Sequence, residues 1–173
     1  MRVLMPGSYD PCTRGHLALI ERAAATYAKV TVAVFINPKK QGLFSYEERV
    51  ELLRLATAHL ENVDVVFSDG MVADYAKDGG YGAIVKGIRN ETDRAYEEQM
   101  AAYNRERGGV PTVLLSATEA LAEVSSTAVR QALAEGGDLS LLLPTAILDQ
   151  VRTLYRKKIK NRPSSCGTAE DVL

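Results

Sequence analysis

Metal ligands and redox residues are scarce in this sequence. Its two cysteines, Cys12 and Cys166, form no CxxC or zinc-ligand spacing, and its two histidines, His16 and His59, stand far apart. That argues against a structural metal site. Charge of one sign is lacking too. A formal net charge of -1 leaves no basic excess to coat a nucleic acid. Any phosphate binding must therefore come from local charge and backbone geometry. No apolar run approaches the ~18 residues of a membrane span, and the opening MRVLMPGSYD turns polar too soon for a signal peptide. The expectation is a cytoplasmic protein with no membrane or nucleic-acid partner. No GK[ST] follows the glycines of the first loop, which excludes a Walker A motif. The absence of GxGxxG removes the usual fingerprint of dinucleotide hydride chemistry.

What is present is ample apolar material, 46% of 173 residues, enough for one ordinary domain with a core. Short runs rich in β-branched residues recur at Arg2 to Met5, Val30 to Ile36, Val63 to Phe67, Ala83 to Lys86 and Thr112 to Ser116. Runs such as VTVAVFI do not alternate, so they suit strands buried on both faces of a parallel sheet.

Helical patterns separate these runs. Leu17, Ile20, Ala24 and Tyr27 share one face. Ser45 with Glu48 forms a capping box at the head of SYEERVELLRLATAHL. Met71 to Lys77 and Asp93 to Arg105 follow, the second with Tyr96, Met100 and Tyr103 on a stripe that suits either the core or a subunit face. Ser125 or Ser126 caps a helix to about Glu135, and Pro144 opens a last one through Tyr155.

The alternation predicts an α/β, three-layer Rossmann-like fold with a five-stranded parallel sheet and a helical C-terminal segment. One domain is expected over residues 1–157, followed by a polar, disordered tail over 158–173.

Ligands of such sheets bind outside the carboxyl ends of the strands, where strand order reverses. If the first strand is central, three polar loops converge there: PGSYDPCTRGH, KGIRN and EVSSTAVR. Gly7 and Gly15 permit close backbone approach, and Gly15 and His16 open a helix whose N–H groups favour an anion. Ser8 and His16 can donate hydrogen bonds to phosphoryl oxygens. Each feature also has a plainer reading. His16 can be a helix cap, Asp10-Pro11 a simple turn, Lys39 and Lys40 a solvated pair, and Cys12 a passive loop residue. Arg89 can pair with Glu91 or Asp93, and Ser125, Ser126 and Thr127 can serve only as caps. What the plain readings leave unexplained is the clustering at strand ends.

PGSYDPCTRGH resembles the PG-[ST]-[FY]-DPxTxGH signature of bacterial phosphopantetheine adenylyltransferases, members of the TxGH/HxGH nucleotidyltransferase superfamily. The resemblance continues through FSYEERVELL, VKGIRNETD, AYEEQMAAYNR and VSSTAVR, covering roughly residues 2 to 155. It implies transfer of an adenylyl group from ATP to 4′-phosphopantetheine, giving dephospho-coenzyme A and pyrophosphate, with Mg²⁺ as cofactor. A homohexamer with coenzyme A as feedback inhibitor is implied as well.

By matching position, His16, Lys40 and Arg89 would be catalytic. Ser8, Lys40, Val72 and Lys86 would hold the acceptor. Ser8, Tyr9, His16, Gly87, Ile88, Arg89, Glu97, Leu121, Ala122, Glu123, Val124, Ser125, Ser126 and Thr127 would contact ATP. No metal ligand is implied. Lys86 stands where the family usually has Arg, and Arg94-Ala95 where it has Phe-Glu. Other adenylyl- or cytidylyltransferases, which typically show HxGH, and a non-catalytic ATP-binding module are the alternatives.

Overall fold

The structure is a computed structural model that describes residues 1–36 and 41–161. Its first half runs β1 (Arg2–Gly7), α1 (Arg14–Thr26), β2 (Lys29–Phe35), α2 (Tyr46–Ala56), β3 (Val63–Ser68) and α3 (Val72–Asp78). The second half runs β4 (Ala83–Ile88), α4 (Glu91–Gly108), β5 (Thr112–Ser116), α5 (Ser126–Glu135) and α6 (Leu148–Lys160). The five strands form one parallel sheet in the order β3-β2-β1-β4-β5. This is the expected three-layer α/β fold, with β1 central and the order reversing between β1 and β4.

Alternate residues of the inner strands feed opposite faces of the sheet. Val3, Met5, Val30, Val32 and Val85 join Ile20 of α1, Leu53 of α2, Val129 of α5 and Val151 of α6 in the larger core. Leu4, Ala33 and Ile84 join Ala76 of α3, Tyr81 and Val110 in the smaller one. Full burial on both faces holds for these inner strands only. β3 lies at an edge, so Val65 is buried while Asp64 and Phe67 face solvent. β5 at the other edge is half-buried over Thr112 to Leu115.

Three helices depart from the sequence pattern. α1 is rotated from the expected face: Leu19, Ile20 and Ala23 are buried, whereas Leu17 and Ala24 are only half so. A Cβ at Gly87 would collide with Leu19 Cδ1, so the missing side chain on β4 is what admits Leu19. α4 turns its aromatic stripe outward, with Tyr96 60% and Tyr103 39% exposed. The α4 residues that do bury are Asn104 and Gly108, the latter pressed against the Ala73 backbone. Pro144 precedes a 3₁₀ turn (Thr145–Ile147), and α6 then runs to Lys160, past the expected end at Tyr155.

β1 pairs with β2 over six residues but with β4 only at Val3↔Ala83 and Leu4↔Ile84. Beyond that point the two strands part. Met5 to Gly7 and Val85 to Gly87 become walls of a cavity of about 620 Å³ at the switch point.

Candidate active site

The first loop folds around Thr13, the N-cap of α1. His16 N–H donates to Thr13 Oγ1 at 3.2 Å, and Thr13 N–H donates to His16 Nδ1 at 3.1 Å, closing a capping box. Because Nδ1 accepts, a neutral imidazole carries its proton on Nε2. The Tyr9 ring meets the imidazole edge-on at 5.0 Å and 67°. Tyr9 is itself pinned: it is buried, its hydroxyl donates to Met5 O at 3.1 Å, and its φ of 45° is in the left-handed region. Such a conformation costs on the order of 1–3 kcal/mol and persists where surrounding contacts fix it.

Burial, followed by the charges of Arg89 and Lys86, pushes the His16 pKa down to about 4. At neutral pH this residue is a donor without charge. In the unfolded chain an imidazole takes up its proton near 6.5. Between pH 6.5 and about 4 the unfolded state therefore binds more protons, and stability should fall as pH is lowered through that window. The expected loss is about 1–3 kcal/mol, read from urea midpoints at pH 7, 5.5 and 4.5. His16→Gln should lack this component; equal pH slopes in the two proteins would refute the depressed pKa.

The helix-start N–H groups are less available than the sequence suggests. Arg14 N–H donates to Leu142 O at 2.9 Å and His16 N–H to Thr13. That leaves Gly15, buried at the start of α1 near Val124 O. In α5, Ser125 Oγ accepts Ala128 N–H at 3.1 Å, and Ser126 Oγ donates to Pro11 O at 2.8 Å. Ser125 is thus a cap, while Ser126 is a tether to the first loop.

Asp10 is no simple turn. It is buried, and its carboxylate accepts Leu43 N–H at 2.8 Å and Phe44 N–H at 2.9 Å. Arg49 Nε stands 3.3 Å from Asp10 Oδ1 and donates to Phe44 O at 2.9 Å, while its Nη1 donates to Ser8 O at 3.2 Å. Gly42 crosses directly over this pair, where a Cβ would collide with the guanidinium. Arg130 donates to Asp10 O at 2.7 Å and to Thr127 Oγ1 at 3.1 Å. One acid therefore ties the first loop to both the β2–α2 loop and α5. The sequence reads Asp10 only as part of a turn and gives Arg49 and Arg130 no role of their own; their partners lie too far along the chain for any local pattern.

The cavity brings together Ser8, Tyr9, His16, Lys86, Gly87, Arg89, Glu97, Leu121, Val124, Ser125, Ser126 and Thr127. Val72, Ile88, Ala122 and Glu123 do not line it. Val72 packs against the smaller core at the start of α3, Ile88 is buried at the end of β4, and Glu123 points to solvent. Lys40 lies outside the described residues, as does the tail from 162. Cys12 is buried with its thiol pKa pushed up to about 12, which leaves it an inert packing residue.

Among the described residues Arg49, Lys86, Arg89 and Arg130 line the wall with three carboxylates, Asp10, Asp93 and Glu97. The site is thus locally positive within a chain of net charge -1. Lys86 pairs with Glu97 at 3.0 Å, and Arg89 grips Asp93 through Nε at 2.9 Å. Arg130, in contrast, is held at short range by a carbonyl and a hydroxyl, with Asp10 Oδ2 at 3.9 Å. Among the described residues no three His, Cys, Asp or Glu side chains gather to cage a metal. The arrangement can bind a polyphosphate, offer an uncharged N–H donor to it, and hold two ligands across the split between β1 and β4.

The cytidylyltransferase-like family matches residues 4–132. The phosphopantetheine adenylyltransferase of Corynebacterium efficiens is 45% identical over 159 residues, covering 91% of this chain and 100% of that protein. The enzyme of the same name from Corynebacterium glutamicum is 44% identical over 156 residues, covering 90% and 98%. Among solved structures, one from Vibrio parahaemolyticus, described as a candidate nicotinate-nucleotide adenylyltransferase, superposes with TM-score 0.63 at 20% identity. It covers 90% of this chain and 95% of its own, a likeness of fold. With near-complete coverage on both sides at such identity, the chain belongs to the phosphopantetheine adenylyltransferase family.

Proposed function

We propose that this protein transfers the adenylyl group of ATP to 4′-phosphopantetheine, releasing pyrophosphate and forming dephospho-coenzyme A in a reversible reaction. The observation that carries the chemistry is His16, a neutral N–H donor fixed through its other nitrogen in a locally positive cavity. The identity of the acceptor rests on relatives 44–45% identical along nearly the whole chain.

An oxygen of the acceptor phosphate attacks the α-phosphorus of ATP. A new P–O bond forms as the bond to the β-phosphate oxygen breaks, and pyrophosphate leaves with the electron pair. A phosphate monoester is already an oxyanion near neutral pH, so the step needs no strong general base. Asp10, Glu97 and Asp93 are engaged by Arg49, Lys86 and Arg89, which agrees with positioning and charge neutralisation as the main catalytic devices.

In this reading Nε2–H of His16 meets the α-phosphoryl oxygens, and Ser8 sits between the two substrates. Arg89, Gly87, Glu97, Leu121 and Val124 to Thr127, which line the cavity, serve ATP, while Lys40 and Lys86 serve the acceptor; Ile88, Ala122, Glu123 and Val72 stand outside the lining and are given no contact. Lys86 and Arg89 would exchange a carboxylate for a phosphate on binding. Among the described residues no carboxylate cluster gathers to hold a metal, which suits Mg²⁺ that would be carried in on the nucleotide and would there neutralise phosphate charge.

A homohexamer belongs to the same reading, and the stripe of exposed Tyr96 and Tyr103 with half-buried Met100 on α4 supplies an apolar face for it. Feedback by coenzyme A and a cytoplasmic location belong to it as well. Among the described residues no helix is long and apolar enough to cross a membrane.

The test is pyrophosphate release from ATP, and separately from CTP, with 4′-phosphopantetheine, nicotinamide mononucleotide or glycerol phosphate. Turnover is expected with ATP and 4′-phosphopantetheine. Release only with another acceptor, or only with CTP, would overturn the substrate assignment. ATP bound with no turnover of any acceptor would point to the non-catalytic module.

A further inference from the structure

The chain beyond α5 carries none of the substrate contacts assigned above, yet it grips the site at two places. Leu142 O accepts the Arg14 N–H at the start of α1. In the last turn of α6, Lys158 Nζ meets Glu48 Oε2 at 2.7 Å and stands 5.8 Å from the centre of the Phe44 ring. The Lys158 and Glu48 side chains are 29% and 24% exposed, so solvent screens the pair only in part.

The contact sits on a strategic segment. The same Glu48 oxygen accepts Ser45 N–H at 2.7 Å, closing the capping box that starts α2. Phe44 is buried, with its N–H on Asp10. Gln41, Gly42, Leu43 and Tyr46 of the same segment line the cavity. Asp10 thus holds this segment from within and Lys158 clamps it from outside. The segment follows β2, so it lies across β1 from the β4 and β5 loops assigned to ATP.

We infer that Lys158 is a positioning residue for the acceptor side of the cavity, a role that rests on the substrate assignment above. Without its ammonium, Glu48 keeps the cap but loses the clamp, and the Gln41–Tyr46 wall relaxes. His16 and the ATP side keep their own anchors.

The experiment compares Lys158→Ala, Lys158→Arg, Glu48→Gln and the Lys158→Ala/Glu48→Gln double variant with the full chain in the pyrophosphate assay. Gln at position 48 retains the capping box while removing the charge. Lys158→Ala and Glu48→Gln should each raise KM for 4′-phosphopantetheine about two- to fivefold, the range that a partly screened ion pair supports. The double variant should do no worse than either alone, Lys158→Arg should restore KM, and KM for ATP and kcat should stay near the parent values. An unchanged acceptor KM in a folded Lys158→Ala protein, or equal rises for both substrates, would overturn the inference. Parent activity is measured in the same plate. If the parent turns over a different acceptor, the substrate assignment fails, and the clamp is judged on that acceptor's KM.

Discussion

His16→Ala should lower kcat about 10²–10³-fold, the usual cost of removing one preorganised donor from a developing negative charge. KM for ATP should change only a few-fold, because the nucleotide is also held by the β4 and β5 loops. The side chain has two jobs that alanine removes together: Nδ1 caps α1 by accepting Thr13 N–H, and Nε2–H faces the cavity. The cap alone is worth about 1 kcal/mol. His16→Gln separates the two, since Gln at the third helical position can complete a capping box. It should unfold close to the parent midpoint yet remain slow by the same two to three orders of magnitude. Parent-like kcat in either folded variant would remove His16 from the mechanism. A Gln variant that recovers both stability and rate would reduce the residue to a cap.

This pairing of roles explains why the site was only partly legible in the sequence. The sequence allowed His16 to be either a cap or a phosphate donor; the structure shows the cap at Nδ1, which leaves the Nε2 proton for the proposed phosphate contact, so the two readings do not compete. The inner strands were legible because VLM, VTVAV and AIV are buried on both faces, and the edge strands less so because β3 buries only Val65 fully and β5 is no more than half-buried. The Arg89–Asp93 pair lies at i,i+4 and was foreseeable, whereas Lys86 finds Glu97 only because α4 folds back beside β4. The rotation of α1 turns on Gly87, far away in sequence, so its own apolar spacing could not report it. The convergence of the three loops was inferred from topology. What fastens them was not visible, because Asp10 meets Leu43, Phe44 and Arg49 more than thirty residues away and Arg130 further still.

Asp10→Ala should cost about 3–5 kcal/mol of stability, the penalty for stranding a buried charged partner. Against a total on the order of 5–15 kcal/mol this is among the largest single-site effects the fold can show. The reason is the density of its contacts. Two backbone N–H groups and the guanidinium of Arg49 converge on one buried carboxylate, and Arg49 is itself 6% exposed. Asp10→Asn should be nearly as damaging. Its amide oxygen can satisfy one of the two N–H groups, but its NH₂ must face another donor.

The decisive measurement is a double-mutant cycle with Arg49→Met, read from urea midpoints. Once Asp10 is neutral, Arg49 is a buried cation without a counter-ion, and removing it should cost far less than in the parent. A coupling of at least about 1–2 kcal/mol is expected. Additive losses would mean that the two residues stabilise the loops independently. Coupled losses would make this ion pair the joint that holds the β2–α2 wall against the first loop.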